Sequence, residues 1–279
     1  MKRKTLPHLI FSLLIVAALA ACSRGTTSSP TAAPTSPPAI DTLPPATDTA
    51  TAEPTAEPSA TQAAQGACAN PLFPVVKGAT WTYSGSGGPS GAYSYTDTIT
   101  DVRSDGFSIS SKFSDNLTRT QEWACKPEGL VALQLPGAAA TLTTEKFKAN
   151  FETSNIQGVT IPARVSPGDK WSFNLDIKGK LDISGVTADT TGTASYNFTA
   201  ANTESVTVPA GTFDAMKIDG VLTLDITASV SGLSVPLKIT MNSTSWFAPG
   251  VGMVKTLSSG DLAGTPMNDT LELQSYNIP

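Results

Sequence analysis

Residues 171–183 alternate so regularly that they leave the backbone one option. Trp171, Phe173, Leu175 and Ile177 are separated by Ser172, Asn174, Asp176 and Lys178, and the apolar series resumes at Leu181 and Ile183. A side-chain period of two puts one set on each face of an extended strand, whereas a helix would scatter both sets around its axis. The same alternation recurs at Met216, Ile218, Leu222, Leu224 and Ile226, and again at Val235, Leu237, Ile239 and Met241. One face of each strand is apolar and the other is wet, the pattern of antiparallel sheets. Shorter strands are predicted at 93–102, 106–113, 117–124, 130–135, 193–200, 204–208, 253–257 and 270–277. Residues 143–152 carry Phe147 and Phe151 at helical spacing, but Phe147, Ala149 and Phe151 also alternate, and a strand is the reading adopted. With helices scarce, one-sided sheets must cover each other or curl. The expected fold is therefore all-β: antiparallel, strongly curved sheet or sheets forming a sandwich or partial barrel.

This β region is predicted at 67–279 and holds all four tryptophans, Trp81, Trp123, Trp171 and Trp246. What precedes it is different material. Residues 1–21 begin with Lys2, Arg3 and Lys4, continue through an apolar run from Leu9 to Ala21, and end in small residues, the pattern of an export leader. Leu19-Ala20-Ala21-Cys22 matches the bacterial lipobox and resembles a lipoprotein signal. Acylation of Cys22 would supply the several chains that stable anchoring needs. Ser23 follows, so the Asp that retains lipoproteins in an inner membrane is absent. Residues 23–66 are dominated by Pro, Thr, Ala and Ser, contain no aromatic residue and repeat Thr-Ala-Glu-Pro at Thr51 and Thr55. Such a segment buries too little apolar surface to offset its ordering entropy. Its prolines favour polyproline II, and at about 3.1 Å per residue it extends on the order of 100 Å or more. Its Ser, Thr and Pro content is also that of glycosylated stalks.

Charge and histidine content exclude several functions. Losing the leader's three basic residues takes the formal net charge from −5 to −8, which disfavours nucleic acid. The single histidine, His8, lies in the leader, so histidine triads and histidine-ligated zinc are excluded from the mature chain. No Gly-x-Ser-x-Gly elbow is present. Asp97, Asp101 and Asp105 are spaced by four, unlike a calcium loop, and read as solvated strand ends. No carboxylate pair stands out for glycoside hydrolysis. The glycine-rich run at 85–91 has no helix after it and reads as a hairpin connection. Tyr93 and Tyr95 are candidates for stacking on sugars or for the core. No catalytic residue, metal site or cofactor is expected.

Of the three cysteines, Cys22 is assigned to lipid, which leaves Cys68 and Cys125 as a candidate disulfide in an oxidising compartment. Free or redox-active thiols are the alternative, without Cys-x-x-Cys spacing to favour it. Turn chemistry is clear at Gly78, at Pro209 with Gly211, and at Pro249 with Gly250 and Gly252: Pro presets φ and Gly accepts its positive values. The runs Gly78-Ala-Thr-Trp81 and Gly168-Asp-Lys-Trp171 each lead a turn into a Trp strand. Each is followed later by a Trp, a Pro/Gly turn and an apolar strand, at Trp123 to Val131 and at Trp246 to Val254. This points to an internal duplication, over about 68–140 and 160–279.

The order Phe73 to Tyr83, then Val206-Thr-Val-Pro-Ala-Gly-Thr-Phe213, then Pro249-Gly-Val-Gly-Met-Val-Lys255 resembles a group of bacterial secreted and lipoprotein domains labelled TapB-like. The resemblance spans most of 68–276 and implies β architecture and an envelope location, with no chemistry to carry over. The expected function is a membrane-anchored, stalk-displayed, non-catalytic binding domain facing outside the cytoplasm. Its partner would be a cell-wall polysaccharide, an envelope protein or a lipid. The alternatives are a carrier holding an apolar ligand in a sheet cavity and, third, a carboxylate-based hydrolase.

Overall fold

In the computed structural model, the described residues are 66, 68–88, 91–114, 118–135, 143–144, 147–183, 185–262 and 265–279. The leader, the lipobox with Cys22 and nearly all of the stalk lie outside them.

The described residues contain fourteen strands: β1 (Thr80–Gly88), β2 (Gly91–Val102), β3 (Gly106–Phe113), β4 (Thr118–Lys126), β5 (Gly129–Ala132), β6 (Thr143–Thr144), β7 (Phe147–Gly158), β8 (Ile161–Pro162), β9 (Lys170–Ile183), β10 (Val186–Val208), β11 (Gly211–Val230), β12 (Leu233–Ala248), β13 (Gly252–Leu262) and β14 (Thr265–Asn277). They form one sheet in the order β6-β7-β9-β10-β11-β12-β13-β14-β1-β2-β3-β4-β5-β8. Neighbours are antiparallel throughout. The fold is thus all-β, as its alternation predicts. Of the two arrangements expected, the sandwich is not what forms. β14 pairs with β1, with Trp81 opposite Tyr276 and Tyr83 opposite Leu273, and so joins the two runs of strands into one surface. Within 143–152, the described residues Thr143, Thr144 and those from Phe147 onward are strand, not helix.

The sheet does not close by strand pairing, yet its two margins are clasped. β7 lies beside β9 at one margin and leads, through Val159 and Thr160, straight into β8, which pairs with β5 at the other. Thr160 carries the seam. Its N–H donates to Leu130 O (2.9 Å), its Oγ1 accepts from Ala132 N–H (2.9 Å), and its carbonyl accepts from Trp171 Nε1 (3.3 Å). Thr153 Oγ1 adds a bond to Leu133 O. Twisted antiparallel strands of this length curl, and the clasp turns that curl into a roll with an inner apolar face.

Strands predicted separately at 193–200 and 204–208 are one strand, β10. The ladder with β11 slips between Ala200 and Thr203, a bulge that lets pairing continue to the turn at Pro209 and Ala210. That turn closes over β14, with Ala210 N–H donating to Leu273 O at 3.1 Å. The two Gly-Trp turns are built alike. Gly78 N–H donates to Ile99 O, Ala79 N–H to Val76 O and Ile99 N–H to Ala79 O; Gly168, Asp169 and Ala200 repeat these bonds with Ala200, Ser166 and Asp169. Both glycines have positive φ, 85° and 92°.

Cys68 and Cys125 form a disulfide. It fixes the start of the domain to the end of β4. Asn70 Nδ2 donates to Pro162 O (2.9 Å) and Gly250 N–H to Pro71 O (2.9 Å), so residues 68–76 are tied to the same end of the sheet as the 249–251 turn. β12 runs away from that turn for 16 residues, about 50 Å at strand rise, to the Ser231-Gly232 hairpin. The end near Cys68 is called proximal below, and the other distal.

Candidate functional site

The inner face is organised in rows, because residues directly opposed in antiparallel strands share a face. A proximal aromatic row packs Phe73, Trp81, Phe107 and Trp123, with ring centroids 5.5 to 6.0 Å apart. Trp81 Nε1 donates to Val251 O at 2.6 Å, and a Cβ at Gly252 (φ 107°) would lie 3.5 Å from that nitrogen. The Pro249-Gly250-Gly252 turn therefore caps this stack. Trp171 stacks on Phe198 at 5.3 Å, and Trp246, on the opposite face with Lys217 and Thr244, donates to Glu204 Oε1 at 2.6 Å beneath the Lys217 ammonium. In the described residues these tryptophans and turn glycines pack the sheet and fix its register.

A polar row crosses this apolar interior, and sequence reasoning missed it. Trp81, Asp97, Ser111 and Arg119 are successive partners across β1, β2, β3 and β4. Ser111 Oγ donates to Asp97 Oδ1 at 2.5 Å, and Arg119 donates to Ser111 Oγ at 3.3 Å from over the Phe113 ring. Arg119 is 6% exposed and Ser111 0%. Tyr83, Tyr95 and Phe113 pack on one side of the row, and Tyr93 donates to Asp269 Oδ2 at 2.6 Å. Asp97 is thus not a solvated strand end, because the parity of β2 turns it inward with Ile99. Asp101 points out and pairs with Arg103 (3.0 Å). Tyr93 and Tyr95 belong to the inner cluster and offer no external platform for sugars. The missed signal is parity: Arg119 and Gln121 share their face with Trp123 and Cys125.

Electrostatics follow from enclosure. Burial pushes the Asp97 carboxyl above its ordinary value of 3.8, against the opposing pulls of Ser111 and Arg119. Burial, with Asp97 nearby, also raises the Tyr83 and Tyr95 hydroxyls. Because folded Asp97 holds its proton more tightly than unfolded Asp97, its contribution to stability falls as pH rises from the ordinary carboxylate range through the higher folded value. Asp97→Asn keeps an acceptor for Ser111 and removes that titration. Urea midpoints from pH 4 to 8 should show the wild type losing stability relative to the variant as pH rises, and parallel profiles would contradict the assignment. Ser111 is too deeply buried to meet a substrate. Among the described residues no group of three or more Cys, His, Asp or Glu side chains gathers as a metal site.

Among the described residues, two recesses open on the outer face. The larger, about 500 Å3, crosses β12, β13, β14 and β1. Two rows of side chains wall it: Asn242, Ser259 and Asn268, and then Thr244, Leu257, Thr270 and Ser86. The smaller, about 270 Å3, lies over β7, β9 and β10 beside the β7 bulge, where Asn155 (φ 49°) donates to Asp176 Oδ2 at 2.6 Å. Both recesses are open, and most of the residues that line them are polar.

Comparisons with known proteins give a family but no activity. No protein with a curated description matches. Similar solved structures include a protein from Bacteroides fragilis described as exported with a YmcC-like fold, at 14% identity, covering 74% of this chain and 98% of that one with a TM-score of 0.46. Another is a protein from Parabacteroides distasonis described as a lipoprotein, at 18% identity, covering 75% and 99% with a TM-score of 0.42. The hypothetical lipoprotein YmcC from Escherichia coli matches at 10% identity over 71% and 83%, TM-score 0.30. A family model described as DUF3108-like matches residues 118–261, from β4 into β13. That match takes in just over half of the sequence, and the chain belongs to the DUF3108-like family.

Proposed function

We propose that the protein is an envelope lipoprotein whose β domain is held away from the membrane on a stalk and binds a partner without chemical turnover. The geometry of attachment carries this reading. The chain preceding Gly66 enters the domain at its proximal end, where the disulfide, the Asn70 bond and the Gly250 bond clamp residues 68–76. β12 then projects about 50 Å away from that clamp. A tether pulling on this end leaves the outer face and the distal hairpins presented. The histidine-free mature chain and the lipobox at Cys22 support the same reading.

Two measurements test it. Protease added to intact cells should remove the domain, and Cys22→Ser should shift the protein from the membrane to the soluble fraction by more than about tenfold, since the anchor is then lost. A protein that resists external protease and stays membrane-bound as Cys22→Ser would contradict the proposal.

A carrier of apolar ligands is the second reading. Val186 (56% exposed), Leu233 (70%) and Val235 (46%) give the distal end of the inner face an apolar lip. Lipid extracted with the purified full chain would favour it.

A further inference from the structure

We infer that the 500 Å3 recess across β12, β13, β14 and β1 is a binding site for a neutral glycan chain; this deepens the proposed binding role and rests on it. Three observations carry the inference. The first is the chemistry of the walls. Asn242, Asn268, Ser86, Ser259, Thr244 and Thr270 supply only uncharged donors and acceptors, and Leu257, 40% exposed, supplies one apolar surface. A neutral sugar presents the same combination of hydroxyls and a C–H face. Asp269 is the one charged residue in the lining, its Oδ2 held by the Tyr93 hydroxyl. No Lys or Arg lines the recess, so nothing compensates a phosphate or an acidic sugar, and one leucine is too little for an acyl chain.

The second observation is vacancy of hydrogen-bonding capacity. Several opposed polar side chains on the sheet satisfy each other: Thr82 with Thr96 (3.0 Å), Thr207 with Thr212 (2.9 Å), Ser229 with Ser234 (2.9 Å) and Lys255 with Glu272 (2.8 Å). The row Asn242, Ser259, Asn268, which lines the recess, makes no such bonds. These three are opposed across β12, β13 and β14, yet their side chains bond to no other described residue. Two carboxamides flanking a hydroxyl, each able to donate and accept, stand in line across about 10 Å of sheet.

The third is rigidity. The wall is built on paired strands, and at its β1 end the backbones approach so closely that a Cβ on Gly87 (φ 94°) would fall 2.2 Å from Asn268 O. Side chains fixed on such a frame lose little freedom on binding, which matters for a well-hydrated ligand held in a shallow groove. The groove runs across the strands, so an extended chain of sugars can lie along it with units beyond the recess in solvent.

The test is titration calorimetry on the full chain in detergent, with cellohexaose, chitohexaose and maltohexaose as probes. At least one hexasaccharide should bind saturably, and Asn242→Ala with Asn268→Ala should weaken it by about tenfold or more while the urea midpoint stays unchanged. Three probes without saturable binding, or binding indifferent to the double substitution, overturns the site. Saturable binding of oleate with none of the sugars also overturns it and supports the carrier reading instead. Co-sedimentation with isolated envelopes is measured alongside. Retention there, without competition by any hexasaccharide, sinks the glycan site but leaves the display role standing; loss of both sinks the parent proposal.

Discussion

Trp81→Ala should lower the unfolding free energy by about 3–5 kcal/mol, the range for deleting a large aromatic from a core that cannot collapse around the gap. Collapse is blocked here. Phe73 stacks on the indole at 5.5 Å, Gly252 abuts its nitrogen, and the ring is 2% exposed. Trp81→Phe keeps most of the packing and leaves the Val251 carbonyl without its donor, a loss of about 1 kcal/mol beyond the change in shape. Trp123 provides the control. It lies in the same stack, but its Nε1 is buried with no acceptor, so Trp123→Phe forfeits no hydrogen bond. Urea unfolding of the four proteins should therefore rank Trp81→Ala as worst, then Trp81→Phe, then Trp123→Phe. Equal losses for the two Phe variants would refute the role given to the Val251 bond.

Removing the disulfide with Cys68→Ser and Cys125→Ser should cost about 4 kcal/mol in the loop-entropy account, because the bridge closes a 57-residue loop. Reduction of the wild type should reach the same midpoint as the double variant. The damage should also be local. Limited proteolysis should open cleavage sites in 68–76 before any in β9 to β12, since that segment is held by the bridge, the Asn70 side chain and the Gly250 amide. Cleavage that begins in the long strands would show that the bridge supports the roll as a whole.

The long strands were legible because every second residue of 171–183, 216–226 and 235–241 is apolar, and burial enforces that register locally. Cys68 and Cys125 were legible through parity of count. The turns at Gly78 and Gly168, paired by sequence likeness alone, make the same three backbone bonds. What was not legible depends on partners far away in the chain. Whether two curved sheets stack or one sheet rolls is decided by β14 meeting β1, and neither strand's own pattern names the other. The bulge after Ala200 hid β10's continuity, since it breaks the alternation in which a strand is recognised. Asp97 was misplaced by its acidic neighbours Asp101 and Asp105, although its parity with Ile99 puts it inside. The outer recess has no motif at all. Its residues come from four strands and become a row only through register.

The pairing of β14 with β1 also sets the order in which the molecule can assemble. Gln274 bonds Ser84 across 190 residues, and β1 has no second neighbour until residues 265–277 arrive. A chain delivered amino end first to the far side of a membrane cannot complete its sheet during delivery; β1 to β5 must wait with an open margin for the last strand. Such high contact order predicts slow, late cooperative closure and an interval in which an unpaired edge invites association with other chains. Under the proposed display on a stalk, such a spacer would keep unfinished edges on neighbouring nascent domains apart until each has received its own final strand.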